Sequence, residues 1–157
     1  VTGGNILYGA FQNCSGLTSL TLSTDLETIG YFAMEGCSNL SSLVLPNKVS
    51  AIGYRSFYNC SRLSDIVLPS GWTRCITYSN GAFRGYGNIF DGCTSLTRLD
   101  VPDSVTTIPA YAFAGNTNLI TVTLPDSIAT IGNQAFNGCT NLQTLYIPFP
   151  PAPPASA

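Results

Sequence analysis

A chain of 157 residues is long enough to bury one sizeable core. Only 9% of it is charged, against a usual figure of about 25%, and a net charge of −2 excludes the basic stripe that nucleic acid requires. The absence of histidine removes the commonest general base, the commonest metal ligand and every histidine-containing triad; no apolar run approaches the roughly 18 residues of a membrane span, and no signal peptide is visible.

Ile6 and Tyr8 open a series that continues through Phe11, Cys14, Leu17 and the alternating pair Leu20/Leu22 in LTSLTL. The series restarts with Leu26, Ile29 and Tyr31, then Met34, Cys37, Leu40, Leu43/Leu45 and Pro46, so that Ile29 answers Ile6 at a period of 23. A third copy follows at the same spacing: Val49, Ile52, Tyr54, Phe57, Cys60, Leu63, Ile66/Leu68 and Pro69. The fourth arrives late, with Phe90, Cys93, Leu96, Leu99/Val101 and Pro102. In the fifth, Val105, Ile108, Phe113, Leu119, Val122/Leu124 and Pro125 keep the frame, but Asn116 fills the cysteine slot. The sixth reads Ile128, Ile131, Phe136, Cys139, Leu142, Leu145/Ile147 and Pro148.

Such a repeat predicts a solenoid of about six coils. The period-2 alternation gives each coil a short strand with one buried face, and the proline after it, lacking an amide N–H, ends the ladder. Gly or Asn before the cysteine slot (Asn13, Gly36, Asn59, Gly92, Gly115, Gly138) suits a turn with positive φ. One coil cannot bury its own apolar face; stacked coils share a continuous core. Six strands at ~4.8 Å predict one parallel sheet roughly 29 Å long, with turns or 3-10 segments opposite. The solenoid is expected over residues 1–148, and 149–157 forms a proline-rich tail or linker.

Units such as LPDSIATIGNQAFNGCTNL, from Leu124 to Leu142, resemble the bacterial leucine-rich repeats of the BspA-like, or Treponema pallidum-type, family. The resemblance covers nearly the whole chain, from about Ile6 to Pro148, and breaks between residues 70 and 89. It implies a curved solenoid, extracellular or cell-surface placement, and adhesion or protein binding rather than catalysis.

The repeated cysteine admits several roles. Adjacent rungs place Cα atoms ~4.8 Å apart, inside the disulfide window, but parallel Cβ vectors keep Cβ–Cβ beyond the ~3.5–4.5 Å a bridge wants. Without Cys-x-x-Cys or histidine, no metal site is expected. A buried, unreactive thiol ladder is the favoured reading for all five slots, and Cys75 falls at the Ile29/Ile52 position as a core substitute. No cofactor is expected.

Phe90 follows Cys75 by fifteen positions, where Phe57 follows Ile52 by five. The ten surplus residues fall within ITYSNGAFRGYGNI, an insertion at about 76–89. Trp72, Arg74, Tyr78, Phe83, Arg84 and Tyr86 gather there, and Trp, Tyr and Arg dominate interface hot spots. Insertions in solenoids map to one face, often the binding face; the alternative is a surface loop whose aromatics pack on the coil beneath. Tyr8, Tyr31 and Tyr54 share one position and are expected to stack as a three-rung stripe. Outward strand positions are rich in Ser and Thr, with weaker candidates at Asp65, Arg98, Asp100 and Tyr146.

The favoured function is a non-enzymatic, secreted or cell-surface module that binds a host or extracellular protein or glycan. No nucleic-acid partner, membrane insertion or catalytic residue is expected, because no nucleophile–base pair is visible. The alternative is a structural spacer that self-associates through an uncapped N-terminal coil and stacks end to end.

Overall fold

A computed structural model describes residues 4–76 and 87–148 of the protein. Among the described residues eleven short strands follow one another: β1 (Gly4–Ile6), β2 (Leu26–Ile29), β3 (Ser42–Val44), β4 (Ala51–Gly53), β5 (Asp65–Val67), β6 (Arg74–Ile76), β7 (Arg98–Asp100), β8 (Thr107–Ile108), β9 (Thr121–Thr123), β10 (Thr130–Ile131) and β11 (Thr144–Tyr146). Every pairing is parallel. Partners stand one repeat period apart, as in Ile29↔Ile52↔Cys75 and Leu99↔Val122↔Leu145. The sequence period is therefore the sheet register, and the chain is a parallel β-solenoid.

The arrangement differs from one six-stranded sheet. Each coil carries two strand arcs, one at the Leu-x-Leu pair and one at the downstream Leu/Ile pair. The first arc forms sheets β3-β5 and β7-β9-β11; the second forms β1-β2-β4-β6 and β8-β10. Both arcs break at the coil that holds the insertion, because ten extra residues separate β6 from the start of the next regular turn. The first-coil segment Ser19–Thr21 forms no strand. The second arc escapes period-2 reasoning because its apolar pairs, such as Leu26/Ile29 and Val105/Ile108, stand three residues apart rather than two.

A third arc closes each coil with turns. Cys14 N–H bonds to Phe11 O and Leu17 N–H to Cys14 O, while alternate amides reach the next coil: Gly9 to Tyr31 O, Phe11 to Ala33 O and Asn13 to Glu35 O. The anticipated left-handed position is present, with φ between 56° and 77° from Asn13 to Gly138. A second one, four residues earlier, holds Gly9, Phe32, Arg55, Asn88, Tyr111 and Gln134. Most of these residue types give no such signal, since the conformation costs a side-chain-bearing residue roughly 1–2 kcal/mol. Coil-to-coil bonds hold them there, among them Phe32 N–H to Tyr54 O at 3.0 Å and Tyr111 N–H to Asn133 O at 3.1 Å.

The core runs along the axis as stacked rungs. Phe57, Phe90, Phe113 and Phe136 lie nearly parallel, with centroids 5.1, 5.3 and 5.6 Å apart. Leu, Ile and Val from both strand arcs surround them.

Candidate protein-binding surface

The slot cysteines belong to the scaffold. From the second coil on, each slot thiol donates its hydrogen to the Phe-position carbonyl of the preceding coil: Cys37 to Phe11 O at 3.1 Å, Cys60 to Met34 O at 3.2 Å, Cys93 to Phe57 O at 3.3 Å and Cys139 to Phe113 O at 3.3 Å. Asn116 makes the same contact to Phe90 O at 2.9 Å and adds Phe113 O at 2.7 Å, which explains why an amide and a thiol share one position. Burial pushes the thiol of Cys60 up to about 12, that of Cys75 also to about 12, and that of Cys93 well above its ordinary value. A thiol that stays protonated is neither nucleophile nor ligand. All six cysteines are free; Cys37, Cys60 and Cys93 are buried, but Cys139 is half-buried and Cys14 exposed, which corrects the expectation of a buried thiol in all five slots. Cys75 pairs with Ile52 in the β4–β6 ladder and packs against the core.

Trp72 is not a surface anchor. It is only 2% exposed and belongs to the core cluster. Arg74 lies in β6, paired with Ala51. Tyr78, Phe83, Arg84 and Tyr86 lie outside the described residues.

The first-arc strands present their alternate residues to solvent. Arg98, Asp100 and Tyr146 share the β7-β9-β11 sheet, with Asp100 and Tyr146 both in register with Thr123. Arg98 donates from Nε to Asp100 Oδ2 at 2.7 Å and from its terminal nitrogen to Oδ1 at 3.0 Å. That bond holds the Asp100 carboxyl below its ordinary value against the opposing effect of burial, with a lesser contribution from the Thr123 hydroxyl. The ionic spot is thus paired within one strand. Asp65 sits apart, on β5. In the β3–β5 ladder, Val44 opposes Val67, and the two are 66% and 51% exposed. A groove of about 430 Å³ adjoins them between the first two coils, lined by Leu20, Leu22, Val44 and Pro46 among others.

On the turn arc, a polar cluster escaped sequence reasoning. Arg55 lies 3.8 Å from Glu35 and stands 3.6 Å over the Tyr58 ring. Burial raises the Glu35 carboxyl above its ordinary value and outweighs the opposing attraction of Arg55. Burial likewise raises Asp91, which accepts a hydrogen bond from Asn88 at 2.9 Å. The signal was the repeat row Glu35, Tyr58 and Asp91, which reads as charge and ring on adjacent rungs once coils are aligned. The tyrosine stripe is also interleaved: Tyr8 meets Phe32 edge-on at 5.3 Å, and Phe32 meets Tyr54 at 5.5 Å. Among the described residues, no group of three or more acidic or cysteine side chains is placed to hold a metal ion, and no helix is long and apolar enough to cross a membrane.

Comparison with known proteins agrees with this architecture. The chain superposes on a leucine-rich repeat protein from Bacteroides ovatus with a TM-score of 0.76 and 34% identity, over 88% of this chain and 33% of that one. A leucine-rich cell surface protein from Faecalibacterium prausnitzii matches with a TM-score of 0.71 and 29% identity, over 82% and 31% of the two chains. The leucine-rich repeat protein of T. pallidum gives 0.71 and 25%, over 88% and 71%. The chain therefore spans about a third of the first two of these structures. No curated protein matches it. The model of the BspA-type leucine-rich repeat region matches residues 4–89 and 76–150. With its regular coil register, phenylalanine stack and thiol-capped turns, the chain belongs to the BspA-type leucine-rich repeat family.

Proposed function

We propose that this chain is a non-enzymatic binding module, secreted or held at the cell surface, that recognises an extracellular protein or glycan through its outward strand face and its insertion at about 76–89. The observation that carries the reading is the Val44–Val67 pair, exposed and in direct register on a surface otherwise rich in Ser and Thr. Coil stacking consumes the inward residues of each strand and leaves these two valines without a structural task. An apolar pair on a rigid sheet, with Asp65 on the same strand as Val67, has the make-up of a contact centre with a polar rim. Arg98, Asp100 and Tyr146 extend that rim. The insertion residues Tyr78, Phe83, Arg84 and Tyr86 are proposed as further, adaptable anchors. The cell-surface description of the Faecalibacterium relative supports the location.

The test is binding of the purified chain to arrays of extracellular-matrix proteins and glycans. The wild type should retain one class of ligand, and Val44→Asp with Val67→Asp should lose it while the fold persists, since both side chains face solvent. Equal binding by the double variant would remove the strand face from the reading. A second reading, a self-associating structural unit, draws support from Leu7 and Tyr8, which are 72% and 65% exposed on the first coil.

A further inference from the structure

The first strand arc has a second gap, away from the insertion. By the repeat period, Ser19–Thr21 should pair with β3 as β3 pairs with β5. Elsewhere the coil-to-coil bonds are made: Leu45 N–H donates to Val67 O at 3.1 Å, Val101 N–H to Thr123 O at 3.0 Å and Ser64 N–H to Ser41 O at 3.0 Å. The equivalent bond from Leu22 N–H to Val44 O is not formed, and that from Ser41 N–H to Thr18 O stretches to 3.5 Å. Among the described residues, no backbone bond joins 19–22 to 42–44. The N–H and C=O of one strand residue point to the same edge. Val67 O faces the coil before it, so Ser42 and Val44, in the same rows as Asp65 and Val67, turn their N–H and C=O groups toward the first coil.

The groove of about 430 Å³ opens at this gap. Leu20, Leu22, Leu43 and Val44 give it apolar walls, Thr21 and Ser42 add hydroxyls, and no charged side chain lines it. An open strand edge is a template for a further strand. Its donors and acceptors recur every second residue, at ~6.6–6.8 Å, the interval of an extended peptide backbone.

We infer that the gap takes an extended, uncharged peptide segment of a partner protein, which adds to β3 as a strand. The inference rests on the strand-face reading and narrows its partner from protein or glycan to polypeptide. Main-chain bonds to Ser42 and Val44 hold the guest, and its alternate side chains meet the leucines on one face and the outward row on the other. A guest residue beside Val44 lengthens the exposed Val44–Val67 row by one rung, adding a cross-strand apolar contact. A charged guest side chain turned toward the leucines loses water without gaining a partner, which selects against it.

The probe is a fluorescent peptide of residues 118–125, NLITVTLP, an uncharged segment whose Thr121–Thr123 pairs on both edges within the chain. It should bind the full chain saturably and slow amide exchange at Ser42 and Val44. In parallel register it donates to β3 through the Val122 and Leu124 amides, so N-methylation of both should weaken binding about tenfold. Ser42→Pro removes a donor from the open edge and leaves the β3–β5 bonds and both valines in place, so it should weaken binding similarly. Absence of binding, binding indifferent to methylation, or full binding by a folded Ser42→Pro chain overturns the inference. An array ligand lost on Val44→Asp with Val67→Asp but kept by Ser42→Pro overturns strand addition alone and leaves the strand-face reading standing. A glycan as the one class retained has the same consequence.

Discussion

Asn116 shows what the slot position requires. Its Nδ2 serves the Phe90 and Phe113 carbonyls, while its Oδ1 is buried without a hydrogen-bond partner. Asn116→Cys should keep one donor to Phe90 O and remove the orphaned oxygen, leaving stability within about 1 kcal/mol of wild type. Asn116→Ala should cost about 1–3 kcal/mol by stranding buried carbonyls, and urea midpoints would separate the two. The thiols also make stability depend on pH. Cys60, Cys75 and Cys93 have folded pKa values raised from 9.0, two of them to about 12. The unfolded chain loses these protons first, so their contribution is complete below about pH 9 and falls as pH rises toward 12. Denaturation midpoints should drop between pH 7 and about pH 10, with smaller losses in Cys93→Ala. Under native conditions, alkylation should label Cys14 quickly and Cys60 and Cys93 only as the chain unfolds.

Each rung holds its neighbours through one ring and one close backbone approach. Phe113 is fully buried and stacks on Phe90 and Phe136 at once. Phe113→Ala should cost about 3–5 kcal/mol in a denaturation experiment, more than the same change at half-buried Phe11 on the first coil. Gly53→Ala tests the backbone approach instead, because its Cβ would meet backbone atoms of Gly30 and Tyr31 at 2.6–2.7 Å and nothing there can swing aside. A loss of at least about 2 kcal/mol is expected; a tolerated alanine would mean the rungs can separate.

The insertion divides both strand arcs of the molecule at the same coil. Deleting residues 77–86 would bring Cys75 and Ile108 to the same chain separation as Ile52 and Cys75, which already pair as neighbouring rungs. Closing a shorter loop changes the unfolded-state entropy by less than about 1 kcal/mol, and joining the sheets adds ladder bonds. The thermal midpoint should hold or rise slightly, while extracellular ligand binding falls if the insertion carries anchors. A deletion variant that binds its ligand as wild type does would mark the segment as a connecting loop.

Coil number, register and the phenylalanine rungs were legible in the sequence, because one period recurs through the chain and stacking turns period into contact. Phe57, Phe90, Phe113 and Phe136 align in the text as they do in space. The candidate site was less legible. Trp72 carries the chemistry of an anchor, yet exposure is a property of what covers a residue, and only the folded coil puts its ring inside. Arg98 and Asp100 were legible as outward neighbours on one strand, but the ion pair that ties them to each other is seen only in the fold. The second strand arc, the left-handed Phe32, Arg55 and Tyr111, and the close backbone approach at Gly53 were decided by tertiary structure alone. Each depends on hydrogen bonds or close contacts to the adjoining coil, a full repeat period away in the chain, which local propensity does not encode.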